Sequence, residues 1–176
     1  MYVFLKGRNA VTILILSDSH GHPDLIREAA GRVKPDAVLF AGDGLRDLNG
    51  LDLTCPLYAV RGNCDWQTDA FSSGVDDEEL ITLGGIRIFL CHGHRYGVKS
   101  GYGAAAAAAM RRNADVLVFG HTHEAFDCTL GSEEPASGHR LLVCNPGTIG
   151  LYPHTFGVLT VRGGRFLFST GSLCDV

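Results

Sequence analysis

Residues 11–20, VTILILSDSH, decide the fold, because an apolar run ends there abruptly in polar side chains. A run such as VTILIL, without polar alternation, predicts a β-strand that is covered on both faces, as in parallel sheets. Asp18 and His20 follow directly. In open α/β sheets, ligands bind in the crevice at the carboxyl ends of the strands. Residues 17–20 are therefore predicted to lie at such a strand end.

The same arrangement recurs four more times along the chain. The predicted strands are Ala37–Phe40, Leu57–Val60, Ile86–Cys91 and Val116–Phe119. The residues that follow them are, in order, Asp43, Asn63, His92, and the pair His121 and His123. If the strands are neighbours and mostly parallel, all seven side chains converge on one edge. The glycines at 42, 62 and 120 would let the backbone turn sharply there.

The remaining segments predict helices first and hairpins later. Helices are predicted from Pro23 to Lys34 and over residues 100–112, the second with Ser100 at its start. A strand at about Glu79–Leu83 would pair with Ile86–Cys91 across Gly84-Gly85. The later strands are predicted at Ala125–Leu130, Leu141–Cys144, Phe156–Val161 and Phe166–Ser169, as two hairpins. This order predicts two packed sheets with helices outside, in one domain over residues 11–176. Residues 1–10 are a leader of uncertain role.

Composition excludes several classes of function. The net charge is −4 and no basic run is longer than Arg111-Arg112, so we expect no broad surface for nucleic acid or anionic lipid. No stretch approaches the roughly 18 apolar residues of a membrane helix. Residues 1–10 lack the order of a secretory signal, and the six cysteines show no CxxC spacing. We therefore expect reduced thiols and a cytoplasmic protein.

The seven polar residues form a candidate set of metal ligands. Each alone has an ordinary explanation, since an Asp after a strand is usually a turn or cap residue and a lone His usually a surface residue. Five such coincidences at equivalent places are improbable. His121 and His123 would face the same way in an extended backbone. Carboxylate, amide and imidazole ligands suit Mn, Fe, Co, Ni or Zn. Seven ligands exceed the needs of one tetrahedral ion, which favours a pair about 3.5–4 Å apart with a bridging hydroxide.

The motifs resemble those of a known superfamily. In order they are Asp18-Ser19-His20, Gly42-Asp43, Gly62-Asn63-Cys64-Asp65, His92-Gly93-His94 and Gly120-His121-Thr122-His123. This set resembles the calcineurin-like metallophosphoesterases, above all the small cap-less phosphodiesterases of the YfcE type. The resemblance implies a four-layer α/β/β/α sandwich of two mixed β-sheets. It also implies a commonly Mn-activated hydrolase of phosphodiesters or phosphomonoesters, and a homo-oligomer, either a dimer or a tetramer.

The resemblance further assigns roles to the motif residues. Asp18, His20 and His123 would hold the first ion. Asn63, His92 and His121 would hold the second, and Asp43 would bridge the two. The candidate catalytic residues are Asn63, Cys64, Asp65 and His94. Many relatives carry His at the position of Cys64, and a thiol is a poor substitute for imidazolium. We therefore expect slow hydrolysis that favours good leaving groups, although Cys64 is equally well explained as a small filler.

Three functions compete for this sequence. The first is a small-molecule phosphodiesterase with two divalent ions. The second is a non-enzymatic, protein-binding scaffold, as in the similar retromer subunit. The third is a nuclease, as among larger relatives, although the acidic balance and the lack of a capping domain argue against it. The complete ligand set favours the first.

Overall fold

Two five-stranded β-sheets form the centre of the molecule, as seen in a computed structural model that describes residues 10–66, 73–131 and 140–174. The strands are β1 (Val11–Leu16), β2 (Ala37–Phe40), β3 (Leu57–Ala59), β4 (Glu78–Leu83), β5 (Ile86–Cys91), β6 (Val116–Val118), β7 (Ala125–Leu130), β8 (Leu141–Pro146), β9 (Thr155–Arg162) and β10 (Arg165–Ser172). The helices are α1 (Pro23–Val33) and α2 (Gly103–Arg111), with single 3-10 turns at Leu45–Leu48, His94–Tyr96 and Val98–Ser100.

Both sheets are mixed, and each has a parallel core. The first sheet has the order β10-β9-β1-β2-β3, in which β1, β2 and β3 run parallel. The second sheet has the order β4-β5-β6-β8-β7, in which β5, β6 and β8 run parallel. The antiparallel strands lie at the edges, where the predicted hairpins β4–β5, β7–β8 and β9–β10 form. Hairpins at the edges leave the parallel strand ends free to carry the polar residues.

The four layers follow from the alternation of side chains along the strands. Ile13 and Ile15 of β1 face the second sheet and pack against β5 side chains such as Ile88. Leu14 and Leu16 point the other way, into a cluster that includes α1. A strand that is buried on both faces needs apolar residues at every position, which explains the run in residues 11–16. Each fully buried Leu or Ile side chain contributes about 1.5–3 kcal/mol.

The second sheet is covered by the alanine-rich helix. Ala105 and Ala109 of α2 pack on Phe89 and Leu117, on the face that points away from the first sheet. The small alanine side chains let the helix lie close to the sheet. The predicted α/β/β/α sandwich of two mixed sheets is therefore confirmed.

Element boundaries differ from the prediction in one informative place. The second helix begins at Gly103, with no side-chain cap, and not at Ser100. Ser100 instead ends a 3-10 turn, and Gly101 has a φ of 132°, which helical residues do not adopt. The α1 prediction is confirmed, with Pro23 in its first turn and Lys34 as a left-handed cap. The expectation for residues 1–10 lies almost entirely outside the described residues.

The structure describes all six cysteines and the helices α1 and α2. All six cysteines are free thiols, and Cys91 and Cys144 are buried in β5 and β8. None of the helices in the described ranges is long and apolar enough to cross a membrane.

Candidate metal centre

The polar residues after the parallel strands meet where the two sheets face each other. Asp18, Asp43 and Asn63 follow strands of the first sheet, whereas His92 and His121 follow strands of the second. The convergence thus spans two sheets, and the strands that carry the candidate ligands are parallel neighbours only within each sheet. Hydrogen bonds across the gap hold the two rims together. The backbone N–H of His121 donates to Asp18 Oδ2 at 3.1 Å, and His92 Nδ1 lies 2.6 Å from the carbonyl oxygen of Ala41.

The first group of candidate ligands consists of Asp18, His20 and His123. Their ligand atoms all lie within 4.8 Å of one another. Asp18 Oδ1 is 3.1 Å from His123 Nε2 and 3.8 Å from His20 Nε2, and the two imidazole nitrogens are 3.4 Å apart. These are the separations expected of ligands that share one ion with bonds of about 2.0–2.2 Å.

The buried carboxylate of Asp18 provides a test of whether this group fits a cation. Its Oδ2 accepts hydrogen bonds from Ser17 Oγ and from the His121 N–H. Its Oδ1 is fully buried and accepts no hydrogen bond within the described structure. A buried carboxylate oxygen without a donor is costly unless a positive charge lies beside it. The residues therefore fit a bound cation.

The second group is formed by Asp43, Asn63, His92 and His121. His92 Nε2 is its centre, at 3.2 Å from Asn63 Oδ1, 3.2 Å from His121 Nδ1 and 3.3 Å from Asp43 Oδ2. His92 Nδ1 donates its hydrogen to the Ala41 carbonyl, so Nε2 is the ring nitrogen that faces the other ligand atoms. Such a hydrogen bond to the far nitrogen is typical of metal-binding histidines.

Asp43 lies between the two groups. Its carboxylate is within 4.8 Å of the ligand atoms of His92 and His121 on one side, and of His20 and Cys64 on the other. Among the carboxylates of the described residues, that of Asp43 is the one with candidate ligand atoms on both of these sides. This position is compatible with a ligand that contacts two ions.

The sequence pattern of the calcineurin-like phosphoesterase superfamily domain matches residues 11–164, a span that holds every residue of both groups. The chain belongs to this superfamily. The predicted resemblance is confirmed. The ligand groups and the family together support a metal-dependent phosphoesterase.

Named relatives agree with this assignment. The chain is 33% identical over 143 residues to the probable metallophosphoesterase YsnB of Bacillus subtilis, a match that covers 80% of this chain and 76% of the relative. The structure of YfcE, a phosphoesterase from E. coli, has 21% identity and a TM-score of 0.57, covering 92% of this chain and 99% of YfcE. Vacuolar Protein Sorting 29 from Cryptosporidium parvum has 22% identity and a TM-score of 0.68, covering 94% and 99%. The two structures show the fold.

The ligands of this phosphoesterase sit in an unusual backbone. Five of the seven candidate ligands, and only three other non-glycine residues of the described ranges, have positive φ angles. The five are Asp18, His20, Asp43, His121 and His123, at 56°, 44°, 60°, 68° and 63°. Such conformations cost about 1–3 kcal/mol each and persist only where the surroundings enforce them. His121 and His123 are therefore not extended, and they point into different groups instead of the same one.

Glycines allow the ligand loops to approach closely. A Cβ at residue 62 would lie 2.0 Å from Asp43 Oδ1, and one at residue 120 would lie 1.9 Å from Ser17 Oγ. Neither glycine has a positive φ, so both are required for space and not for the sharp turn that we expected. Gly42 meets the expectation, with a φ of 92°.

Asp65 fixes the loop that carries Asp43. Its carboxylate accepts backbone N–H bonds from Asp43, Gly44 and Leu45 at 2.8 Å, and from Gly62 at 2.9 Å. Both oxygens are thus occupied by the backbone. The catalytic role predicted for Asp65 stays a prediction, and the contacts support a positioning role instead.

Three further positioning residues escaped the sequence analysis. Asp47 accepts hydrogen bonds from Ser19 Oγ and the Gly21 N–H, on either side of His20. Thr148 Oγ1 donates to the Asp18 carbonyl at 2.8 Å. Asn145 is fully buried and bonds to the His121–His123 loop. The signal that identifies these residues is a polar side chain in a buried position. Burial is known only from the tertiary structure.

The two less certain candidates, Cys64 and His94, both border the ligands. The Cys64 thiol accepts a hydrogen bond from Asn63 Nδ2 at 3.3 Å. Burial and the neighbouring Asp43 raise the pKa of Cys64 to about 11, so the thiol is protonated at neutral pH. The His94 ring centre is 5.4 Å from that of His92. His94 begins a 3-10 turn after the left-handed Gly93.

The pKa values show how the ligand groups share charge. Burial raises the pKa of Asp18, despite the opposing charge of His92. Burial acts on Asp43 in the same way, but the hydrogen bond and charge of His92 outweigh it and lower the pKa of Asp43. Burial, together with His92 and Lys99, lowers the pKa of His121 to about 4. His121 is therefore neutral at pH 7, the state in which imidazole binds a metal.

Proposed function

We propose that this metallophosphoesterase hydrolyses a small phosphodiester, or a phosphomonoester, with two divalent cations, Mn being the first candidate and Fe, Ni, Co or Zn the others. The proposal depends on the position of Asp43 between the two ligand groups. Each group contains three candidate metal ligands besides Asp43. Asp18, His20 and His123 would hold one ion. Asn63, His92 and His121 would hold the other, and Asp43 would bridge them.

Such a pair, when bound, polarises the phosphoryl oxygens and lowers the pKa of a water shared between the ions from 15.7 towards about 7. The protein supplies the geometry for this chemistry. The Ala41 carbonyl fixes the proton of His92 on Nδ1, and Asp65 fixes the backbone of Asp43. With both ions in place, these residues would hold the pair for direct hydrolysis by water, without a covalent enzyme intermediate.

The leaving oxygen gains a proton in this reaction, and its donor limits the substrate range. Cys64 borders His20 and Asp43 and keeps its proton at neutral pH, since its pKa is about 11. Such a weak acid protonates a leaving alkoxide poorly. We therefore expect slow turnover and a preference for good leaving groups. His94 is a further candidate residue, and its role would be contact with a phosphate oxygen of the substrate.

The test is hydrolysis of bis-p-nitrophenyl phosphate by protein that has been stripped with EDTA and reloaded with Mn. We expect two ions per chain by elemental analysis and activity that depends on them. Asp43→Asn should reduce the binding of both ions and abolish turnover. Asp24→Asn, on the exposed side of α1, is the matched control. Full activity of Asp43→Asn with two bound ions would refute the bridging role.

The same experiment separates the competing functions. The likeness to Vacuolar Protein Sorting 29 favours a protein-binding scaffold as the second candidate. Metal binding without turnover of any phosphate ester would support that scaffold. Salt-dependent binding to an oligonucleotide, with cleavage, would support a nuclease. A cytoplasmic location and a dimer or tetramer complete the proposal, and sedimentation analysis tests the latter.

A further inference from the structure

A pocket of about 250 Å³ opens beside the candidate ligands. Its lining includes the candidate ligands His20 and Asp43, together with Cys64, Arg46 and Trp66. Pockets that enclose a whole ligand usually measure about 300–1,000 Å³. A pocket of this size has room for a phosphoryl group, and the remainder of a larger substrate would lie along its rim.

Trp66 stands on that rim. It is the only tryptophan of the chain, and 72% of its surface is exposed. Tryptophan is normally among the most buried residues on average, because its indole has a large apolar area. The other large exposed apolar residues of the described ranges do not line this pocket.

The position of Trp66 is tied to the metal centre. It follows Asp65, whose carboxylate is held by four backbone N–H groups of the loops that carry Asp43 and Asn63. Trp66 is thus part of the loop that carries Asn63, and Asp65 connects this loop to the one that carries Asp43. An aromatic platform next to a phosphoryl site offers a surface for a flat substrate ring, since stacking on tryptophan tolerates any planar ring.

Arg46 lies on the same rim. Of the lining residues that the structure describes, it is the one with a permanent positive charge. Asp43, Asp47 and Asp65 line the pocket as well, and hydrogen bonds from backbone N–H groups leave the carboxylates of Asp47 and Asp65 charged. Charges of both signs therefore surround the indole, and the charge of the rim does not select one substituent.

We propose that Trp66 and Arg46 form the subsite for the organic part of the substrate, which carries a planar aromatic ring of the nucleobase or aryl type. This inference rests on the proposed function, because the reacting phosphoryl group would lie at the metal pair. The ring stacks on the indole while the phosphoryl group occupies the pocket. Substrates without a ring lose this contact and bind more weakly.

The single tryptophan allows a direct binding test that needs no turnover. Phenylphosphonate and methylphosphonate have hydrolysis-resistant C–P bonds and differ only in the ring. With Mg-loaded protein excited at 295 nm, phenylphosphonate should change the fluorescence in a saturable way, with at least tenfold higher affinity than methylphosphonate. Adenosine 5′-monophosphate against ribose 5-phosphate distinguishes a nucleobase from a simple aryl ring. Equal affinity for ringed and ringless ligands would overturn the proposal.

Variants assign the effect to Trp66. By calorimetry, Trp66→Ala should reduce the ratio of phenylphosphonate to methylphosphonate affinity by about 5- to 100-fold, as stacking energies imply. Trp66→Phe should keep most of the ratio. Leu167→Ala removes an equally exposed side chain, 72% exposed, outside this pocket and should change nothing. An unchanged ratio in Trp66→Ala would refute the subsite.

The two proposals fail in different ways. Ring-selective binding without hydrolysis of any ester would refute the proposed function and leave the subsite standing. Mn-dependent hydrolysis without ring selectivity would refute the subsite and leave the proposed function standing.

Discussion

The side-chain amide of Asn145 lies 2.9 Å from the carbonyl oxygen of Gly120, the residue before His121. The same nitrogen is 3.0 Å from Thr122 Oγ1, and Asn145 Oδ1 accepts a hydrogen bond from the Gly147 N–H. All the polar atoms of this fully buried amide are therefore used. Asn145 connects the end of β8 to the loop that presents two candidate ligands in left-handed conformations.

Asn145→Ala is expected to weaken metal binding without touching a ligand. The substitution leaves the Gly120 carbonyl and the Thr122 hydroxyl without their donor, so the loop can relax from its strained form. Loss of a residue that orients ligands typically costs about 10- to 100-fold in metal affinity. Titration with Co or Mn measures this. Asn49→Ala, at an exposed asparagine, is the control, and equal metal affinities of the two variants would disprove the positioning role.

Gly62→Ala is expected to disrupt the centre through a steric clash. The added methyl group would lie 2.0 Å from Asp43 Oδ1 and 2.5 Å from the Asp43 backbone nitrogen. The carboxylate cannot move away without losing its bond from the Cys64 N–H. We expect a loss of about 1–3 kcal/mol in the free energy of unfolding, as for overpacked cores, together with loss of metal. Chemical denaturation and elemental analysis measure the two effects.

Gly31→Ala provides the matched control for that clash. Gly31 lies in α1 and has no positive φ, and a methyl group added there would meet no atom within 4 Å. Alanine in a helix is favoured over glycine by about 1 kcal/mol. The control should therefore be as stable as the parent protein or more so. If Gly62→Ala were as stable as Gly31→Ala, the close approach of residue 62 to Asp43 would not require glycine.

Cys64→His is expected to raise turnover on phosphomonoesters. An imidazolium is a much stronger proton donor than a thiol with a pKa of about 11, and it would stand beside His20 and Asp43. Steady-state rates on p-nitrophenyl phosphate, with metal content measured on the same samples, provide the comparison. Cys174→His changes the other exposed cysteine and should have no effect. An unchanged or lower rate with the metals intact would count against the role of Cys64.

The metal-free protein should become less stable in acid partly through His121. Its folded pKa is about 4, below the ordinary histidine value of 6.5, so between these pH values the unfolded state binds more protons. The free energy of unfolding then rises with pH across this window and falls as the pH drops from 6.5 to 4. Urea denaturation in EDTA should show a shallower pH dependence for His121→Gln. His22→Gln, at an exposed histidine, should keep the parent slope, and equal slopes in all three proteins would contradict the assignment.

Local patterns predicted much of the fold for identifiable reasons. The run in residues 11–16 predicted a strand buried on two faces, and β1 is covered by α1 on one side and by the second sheet on the other. Glycine pairs at 84-85 and 163-164 predicted hairpins that form as expected. The prediction that the second helix begins at Ser100 was wrong because Gly101 separates Ser100 from α2. No local sequence pattern fixed the conformation of Gly101.

The sequence by itself determined which residues could bind metal, because ligand-type side chains follow apolar runs regardless of how the runs are arranged. Only the tertiary structure decided which runs belong to which sheet, that His121 and His123 lie in left-handed conformations, and that Asp65 and Asn145 hold the loops. These relationships depend on contacts between residues far apart in the chain, as when residue 145 bonds to residue 120. Burial and distance across the gap between sheets are properties of packing, and a linear pattern does not contain them.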